Sequence, residues 1–169
     1  METLESIYTR RSVRKYNDQK ISDEMIKKLL KAAFLAPSAG NQQPWHFVII
    51  DDKKILEKIP DFHPRAEFIK NSQKSILVCA DKNLETFKDY FPLDCSASTE
   101  NILIAARSLG LGACWVGIYP KKERIERLRG LLNIPENAIP FSIVALGYTS
   151  QEQKEVDRYK EDRIHHNKW

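Results

Sequence analysis

Four short stretches of this chain are almost wholly apolar: residues 45–50, 75–80, 113–118 and 141–146. Three of the four run without the polar–apolar alternation of a strand that turns one face to water. A strand that is apolar on both sides must be covered on both sides, so the pattern predicts a sheet with helices packed above and below it. A chain of 169 residues is enough for one such domain. It can bury a core of that kind without disulfides or a structural metal.

The segments between the strands carry helical signals. Ser22 is a good helix N-cap, Asp23 and Glu24 suit the positive end of the helix dipole, and Met25, Ile26, Leu29, Leu30, Ala33 and Phe34 recur on one face. Pro37 ends that helix, because the residue before a proline avoids the helical region. A short helix is expected over 53–59, capped by Asp51 or Asp52. The longest runs over 93–109 and stops at Gly110, and an amphipathic one covers 121–131. Asp94 and Asn101 lie seven apart on one face of the long helix, a spacing that suits capping of neighbouring backbone. From residue 150 onward the chain is polar until Trp169. A bulky apolar side chain at the very end of a polar tail argues that the tail docks on something, such as a second subunit.

Composition excludes several classes. A net charge of +4 is far short of a nucleic-acid footprint, and no aromatic platform interleaves with the arginines, so no nucleic-acid partner is expected. No stretch is apolar enough to span a bilayer, and the acidic N-terminus is no secretory signal. Cys79, Cys95 and Cys114 form no CxxC pair and read as small core residues, which points to the reducing cytoplasm. The four histidines lack zinc spacing, so no metal is expected.

Two stretches carry chemistry. In Arg10-Arg11-Ser12-Val13-Arg14, residues 10, 12 and 14 project to one side if the segment is extended. Two guanidinium forks and a hydroxyl on one side suit a phosphate dianion. Alone, the same residues also read as a solvated basic run. In Pro37-Ser38-Ala39-Gly40-Asn41-Gln42-Gln43-Pro44-Trp45, Gly40 can take the positive φ of a chain reversal. Ser38, Asn41 and Gln42 offer hydrogen bonds on short arms, and nothing in the stretch titrates. That suits the edge of a neutral ring or a polyol. Gly110-Leu111-Gly112 is too loose for a dinucleotide fingerprint, since no acidic residue follows the next strand. Gly117, at a strand end, would let a ligand lie against the backbone. No triad or carboxylate pair presents itself as catalytic.

These motifs, taken with Asn101, Trp115-Val116-Gly117 and Asp157-Arg158-Tyr159, resemble in order the FMN-dependent nitroreductase family, over almost the full length. The resemblance implies an α+β fold of three layers, helix–mixed sheet–helix. It would be a single domain over 1–169 that forms an intertwined homodimer, with the tail from about 150 docking on the partner. It implies FMN at the dimer interface. Arg10, Ser12 and Arg14 would hold the phosphate, with Arg11 contributing backbone or a further cation. Arg158 would complete that site late in the chain, unless Lys160 or Arg163 does so. Pro37, Ser38, Ala39, Asn41 and Gln42 would reach the flavin of the other subunit. Val116 and Gly117 would lie over the ring near N5. Val116 stands where the family often has an acidic residue, so a backbone donor is retained and a side-chain role is not.

The activity so implied is NAD(P)H oxidation by a ping-pong flavin mechanism, with nitroaromatic, quinone or flavin acceptors. The flavin carries the chemistry, which accounts for the missing triad. The segment 81–92 is too short for a long lid, so an open and permissive pocket is expected, with Phe87, Tyr90 and Phe91 as its candidate lining. Two other readings stand beside this one. One is a dedicated biosynthetic or detoxifying flavoenzyme with a non-nitro acceptor. The other is a non-catalytic module that binds a phosphate ester or nucleotide.

Overall fold

The structure, a computed structural model, describes residues 2–169. Helices α1 (Thr3–Thr9) and α2 (Asp23–Phe34) precede strand β1 (Trp45–Ile50). Then come α3 (Lys53–Lys58), two 3-10 segments (Ile59–Asp61 and Pro64–Asn71), β2 (Lys74–Asp81), α4 (Phe91–Ser108), β3 (Gly112–Gly117), α5 (Lys122–Leu132) and β4 (Ala138–Gly147). The strands lie in the order β1-β2-β4-β3, and every neighbouring pair is antiparallel. The parallel component of the sheet is a single bridge, Ser12 to Ala113, by which the extended segment before α2 lies along the outer edge of β3.

Both faces of the sheet are covered. Along β2, Ile76, Val78 and Ala80 enter a core roofed by α2 and α4, while Leu77 and Cys79 enter a second core. That second core is floored by α3, the 3-10 segments and α5 through Leu56, Ile59, Ile69 and Leu128. Strand β4 repeats the division, with Val144 and Leu146 on one side and Ile143 and Ala145 on the other. The unbroken apolar runs in the sequence therefore have the origin expected of them.

Local signals act as anticipated. The Ser22 hydroxyl accepts from Met25 N, the Asp52 carboxylate accepts from Lys54 N, and Gly110 leaves α4 with φ +79°. The buried polar face of α4 stitches the layers together. Ser98 Oγ donates to Ala33 O (3.1 Å), Asn101 Nδ2 donates to Ala32 O (2.9 Å), and Thr99 and Ser142 share a hydroxyl contact of 2.9 Å. Beyond Thr149 the chain has one short 3-10 turn, Glu161–Arg163, and among the described residues only Gln153 bonds back to the body. Trp169 is fully exposed and stacks only on His165.

Candidate functional site

The site begins at the edge of β3. Val13 N donates to Ala113 O at 2.9 Å, which holds residues 10–14 extended, and Val13 is wholly buried beneath them. Two glycines make this close approach possible. A Cβ on Gly112 would come within 2.7 Å of the Val13 side chain, and one on Gly147 within 2.5 Å of the Tyr16 ring. Tyr16 then pins the segment by donating its hydroxyl to Val13 O (2.7 Å). Burial pushes its phenol well above the usual range, so it remains a donor.

Side chains alternate as the spacing requires. Ser12 and Arg14 stand exposed beside half-buried Arg10. Arg10 Nε lies 3.3 Å from the Glu100 carboxylate. Arg14 has no carboxylate partner among the described residues, and its guanidinium lies over the Phe68 ring, 5.6 Å from the centroid. Arg11 is on the opposite side. Its Nη1 donates to Arg10 O, but its Nε and Nη2 are buried without an acceptor. Buried cationic donors left unpaired cost free energy, so an acceptor is missing there.

The strand end comes to the same place. A cavity of about 140 Å³ is lined by Arg14, His63, Arg65, Phe68, Cys114 and Gly117, among others. Added side-chain volume on Gly117 would meet nothing within 4 Å, so the space over it is open. The Gly117 carbonyl is fixed from behind, accepting from Arg124 Nη1 (2.9 Å) and His63 Nε2 (3.1 Å). With Nε2 as donor, the Nδ1 of neutral His63 is an acceptor, buried and unpartnered. Val116 turns its side chain into the core below β3, so it offers only backbone to the cavity.

Burial, followed by the nearby Arg124 charge, holds the His63 pKa below its usual value. The folded chain therefore binds fewer protons at His63 than the unfolded chain does. Its stability should fall as pH drops from neutrality through about 6.5, the ordinary histidine value, towards the lowered one. Urea midpoints at pH 7.5 and 5.5 should converge in His63→Gln relative to the unsubstituted protein. An equal acid loss in both proteins would rule out His63 as its source.

The loop at 37–43 forms a separate wall. Gly40, Asn41 and Gln43 all have positive φ (52°, 57° and 47°), and for the two non-glycine residues that costs roughly 1–3 kcal/mol each. Hydrogen bonds hold this conformation. Gln43 N donates to Ser38 Oγ (3.0 Å), and Gln43 Nε2 donates to Asn41 Oδ1 (2.8 Å). Buried Asp94, at the start of α4, accepts from Ala39 N (2.9 Å) and Gln42 Nε2 (2.6 Å). The Ser38 hydroxyl hydrogen and the Asn41 amide donors remain uncommitted. Pro37 opens the loop, as expected.

One chain thus brings Arg14 and Gly117 to one cavity, with the rest of 10–14 beside it. The loop at 37–43 does not line that cavity. Arg158 stands exposed in the tail with no side-chain partner among the described residues, as do Lys160 and Arg163. Sequence reasoning missed His63 and Arg65. Their one signal, Pro64 between them, marks a 3-10 segment, which has no helical period. Among the described residues no cluster of side chains suits a metal ion, and no helix is long and apolar enough to cross a membrane.

This fold and this pairing of a basic edge segment with a glycine strand end define a known class. The description "Nitroreductase family" matches residues 7–63 and 63–148, and the chain belongs to that family. It is 51% identical to a protein of Archaeoglobus fulgidus named "Putative NADH dehydrogenase/NAD(P)H nitroreductase", covering 99% of both chains. A crystal structure of a protein of the same name from Parabacteroides distasonis superposes with a TM-score of 0.93 at 40% identity, covering 99% of this chain and 98% of the other. An FMN-dependent nitroreductase of Clostridium difficile superposes with a TM-score of 0.90 at 29% identity, covering 98% and 99%.

Proposed function

We propose that this protein is an FMN-dependent NAD(P)H oxidoreductase whose flavin is held by the residues described above. The observation that carries the reading is the meeting of carboxylate-free Arg14 with the open strand end at Gly117 in one cationic cavity. The unpaired buried donors of Arg11 fit an anionic group as well.

In this reading Arg10, Ser12 and Arg14 grip the phosphate of FMN, and Arg11 adds positive potential from beneath. Val116 and Gly117 present backbone to the ring, with Gly117 held rigid by Arg124 and His63. Pro37, Ser38, Ala39, Asn41 and Gln42 form the wall that a second copy of the chain supplies. The late cation is Arg158, Lys160 or Arg163, delivered by the tail. When bound, FMN supplies two-electron chemistry, taking hydride from NADH or NADPH and passing electrons in a ping-pong sequence to a second substrate. The protein's own task is positioning and electrostatics. Arg14, Arg65 and Arg124 make the cavity favourable for a ring system that gains negative charge on reduction.

The homodimer this requires has a surface available. Leu4, Ile7 and Tyr8 on α1 and Phe34 and Leu35 at the end of α2 are exposed. A pocket between α1, α2 and α4, lined by Ser6, Leu35, Asn101 and Ile104 among others, opens beside them. All three cysteines are free and buried, which agrees with a reducing cytoplasm. Burial raises each thiol, that of Cys79 to about 12, so none is poised as a nucleophile. The open pocket favours broad acceptors, quinones and nitroaromatics among them, over a single dedicated one. Anaerobic titration of the FMN-loaded protein with NADH and then NADPH tests the reading. Bleaching of the flavin band, restored by a quinone, supports it. Protein that takes up no FMN refutes it.

A further inference from the structure

The 37–43 loop does not stand alone. Gln42 Oε1 accepts from Phe87 N (2.8 Å), while its Nε2 donates to Asp94 and more weakly to Phe87 O (3.5 Å). A hydrogen-bonded line therefore runs from the buried carboxylate of Asp94 through the Gln42 amide to the backbone of Phe87. The Phe87 ring rests on Gly40, where an added Cβ would fall 2.0 Å from the ring edge. That ring is 49% exposed. Tyr90 stands edge-on to it with ring centroids 6.5 Å apart, which extends an aromatic surface into solvent.

An aromatic side chain half in water adds little to a hydrophobic core, yet this one is fixed by hydrogen bonds and by a glycine that makes room for it. Pinned exposed aromatics of this kind mark contact surfaces. The amide of Gln42 is spent inside the chain, so its role is mechanical. We infer that Asp94 and Gln42 are positioning residues that hold Phe87 as a stacking wall for flat aromatic electron acceptors. This rests on the flavin reading, in which the same loop borders the place where an acceptor must enter.

The hydrogen-bond polarity supplies a sharp test. In Asp94→Asn, the oxygen still serves Ala39 N, but the new amide faces the Gln42 amide donor to donor. In Gln42→Glu, two carboxylates face each other. In the double variant the line is whole again: the amide introduced at position 94 donates to the carboxylate introduced at position 42, which still accepts from Phe87 N. The readout is the ratio of kcat/KM for a two-ring quinone to kcat/KM for ferricyanide, measured on FMN-loaded enzyme with saturating NAD(P)H.

Phe87→Ala should lower that ratio about tenfold through the quinone KM, the value of one aromatic stacking contact. Each single strut variant should lower it similarly, and the swapped pair should restore it. A swapped pair no better than either single variant overturns the proposal. So does an unchanged ratio in Phe87→Ala, a surface change that leaves the core intact. If the strut variants instead release FMN at an unchanged ratio, Gln42 is a cofactor contact and the proposal fails while the flavin reading survives. Wild-type protein that takes up no FMN sinks both.

Discussion

Arg14→Ala should raise the FMN dissociation constant by about tenfold to a hundredfold. A hydrogen bond to a charged group is worth about 1.5–3 kcal/mol, and about 1.4 kcal/mol is a factor of ten. Arg14 is the residue to change because nothing else in the chain uses its charge. Arg10 already shares its guanidinium with Glu100, so Arg10→Ala also frees a carboxylate beside the site and is harder to interpret. Arg14 rests on the Phe68 ring and points into the cavity that reaches Gly117. Arg14→Lys should recover only part of the affinity, since an ammonium keeps the charge and loses the planar fork. The loss in Arg14→Ala should shrink at high salt, because screening weakens the contact that the substitution removes. Flavin fluorescence titration measures all three. Lys15→Ala, a neighbouring exposed cation outside the site, should stay within about twofold, as surface charges contribute little. Equal losses at Lys15 and Arg14 would mean that FMN senses net charge alone, and the phosphate assignment would fall.

What the sequence revealed about this fold follows from what each element buries. The four strands were legible because Ile76, Leu77, Val144 and Ala145 alternate between two cores and are apolar throughout. Helix α2 was legible because Ser22 caps it and one face enters a core. Helix α1 was not. Leu4, Ile7 and Tyr8 point outward, so its apolar residues have no partner within the chain and give no amphipathic signal. The segment Pro64–Asn71 was invisible for a different reason: a 3-10 run has no 3.6-residue period to detect. His63 and Arg65 were lost with it.

The candidate site shows the same division. Residues 10–14 were readable because an extended segment alternates. The spacing of Asp94 and Asn101 suggested that they cap neighbouring backbone, and both do, on Ala39 N and Ala32 O. Those partners lie 55 and 69 residues away, beyond the reach of any local pattern. The engaged amide of Gln42 was unreadable for the same reason.

The largest effect on assembly should come from removing residues 150–169. In one copy of the chain the whole tail is solvated, yet it carries Val156, Tyr159, Ile164 and Trp169, all at least 46% exposed. Large apolar side chains spaced along a polar segment are poorly explained as a free end, since each gains about 1.5–3 kcal/mol on full burial. Their natural cover is the apolar surface that α1 and α2 also leave open, so tail and helices are taken as two parts of one interface between copies. Losing two anchors of about 2 kcal/mol each would weaken dimerisation roughly a thousandfold. Sedimentation equilibrium across a concentration series should therefore find the truncated protein monomeric where the full chain is dimeric. Flavin should be lost in parallel, because the truncation removes Arg158, Lys160 and Arg163 and separates the 37–43 wall from the partner's cavity. Trp169→Ala distinguishes anchoring from mere length: it should weaken the dimer about tenfold or more while every basic residue of the tail remains. A truncated chain that stays dimeric and holds FMN as tightly as the full protein would show that the tail serves neither purpose. The interface would then rest on the helices alone.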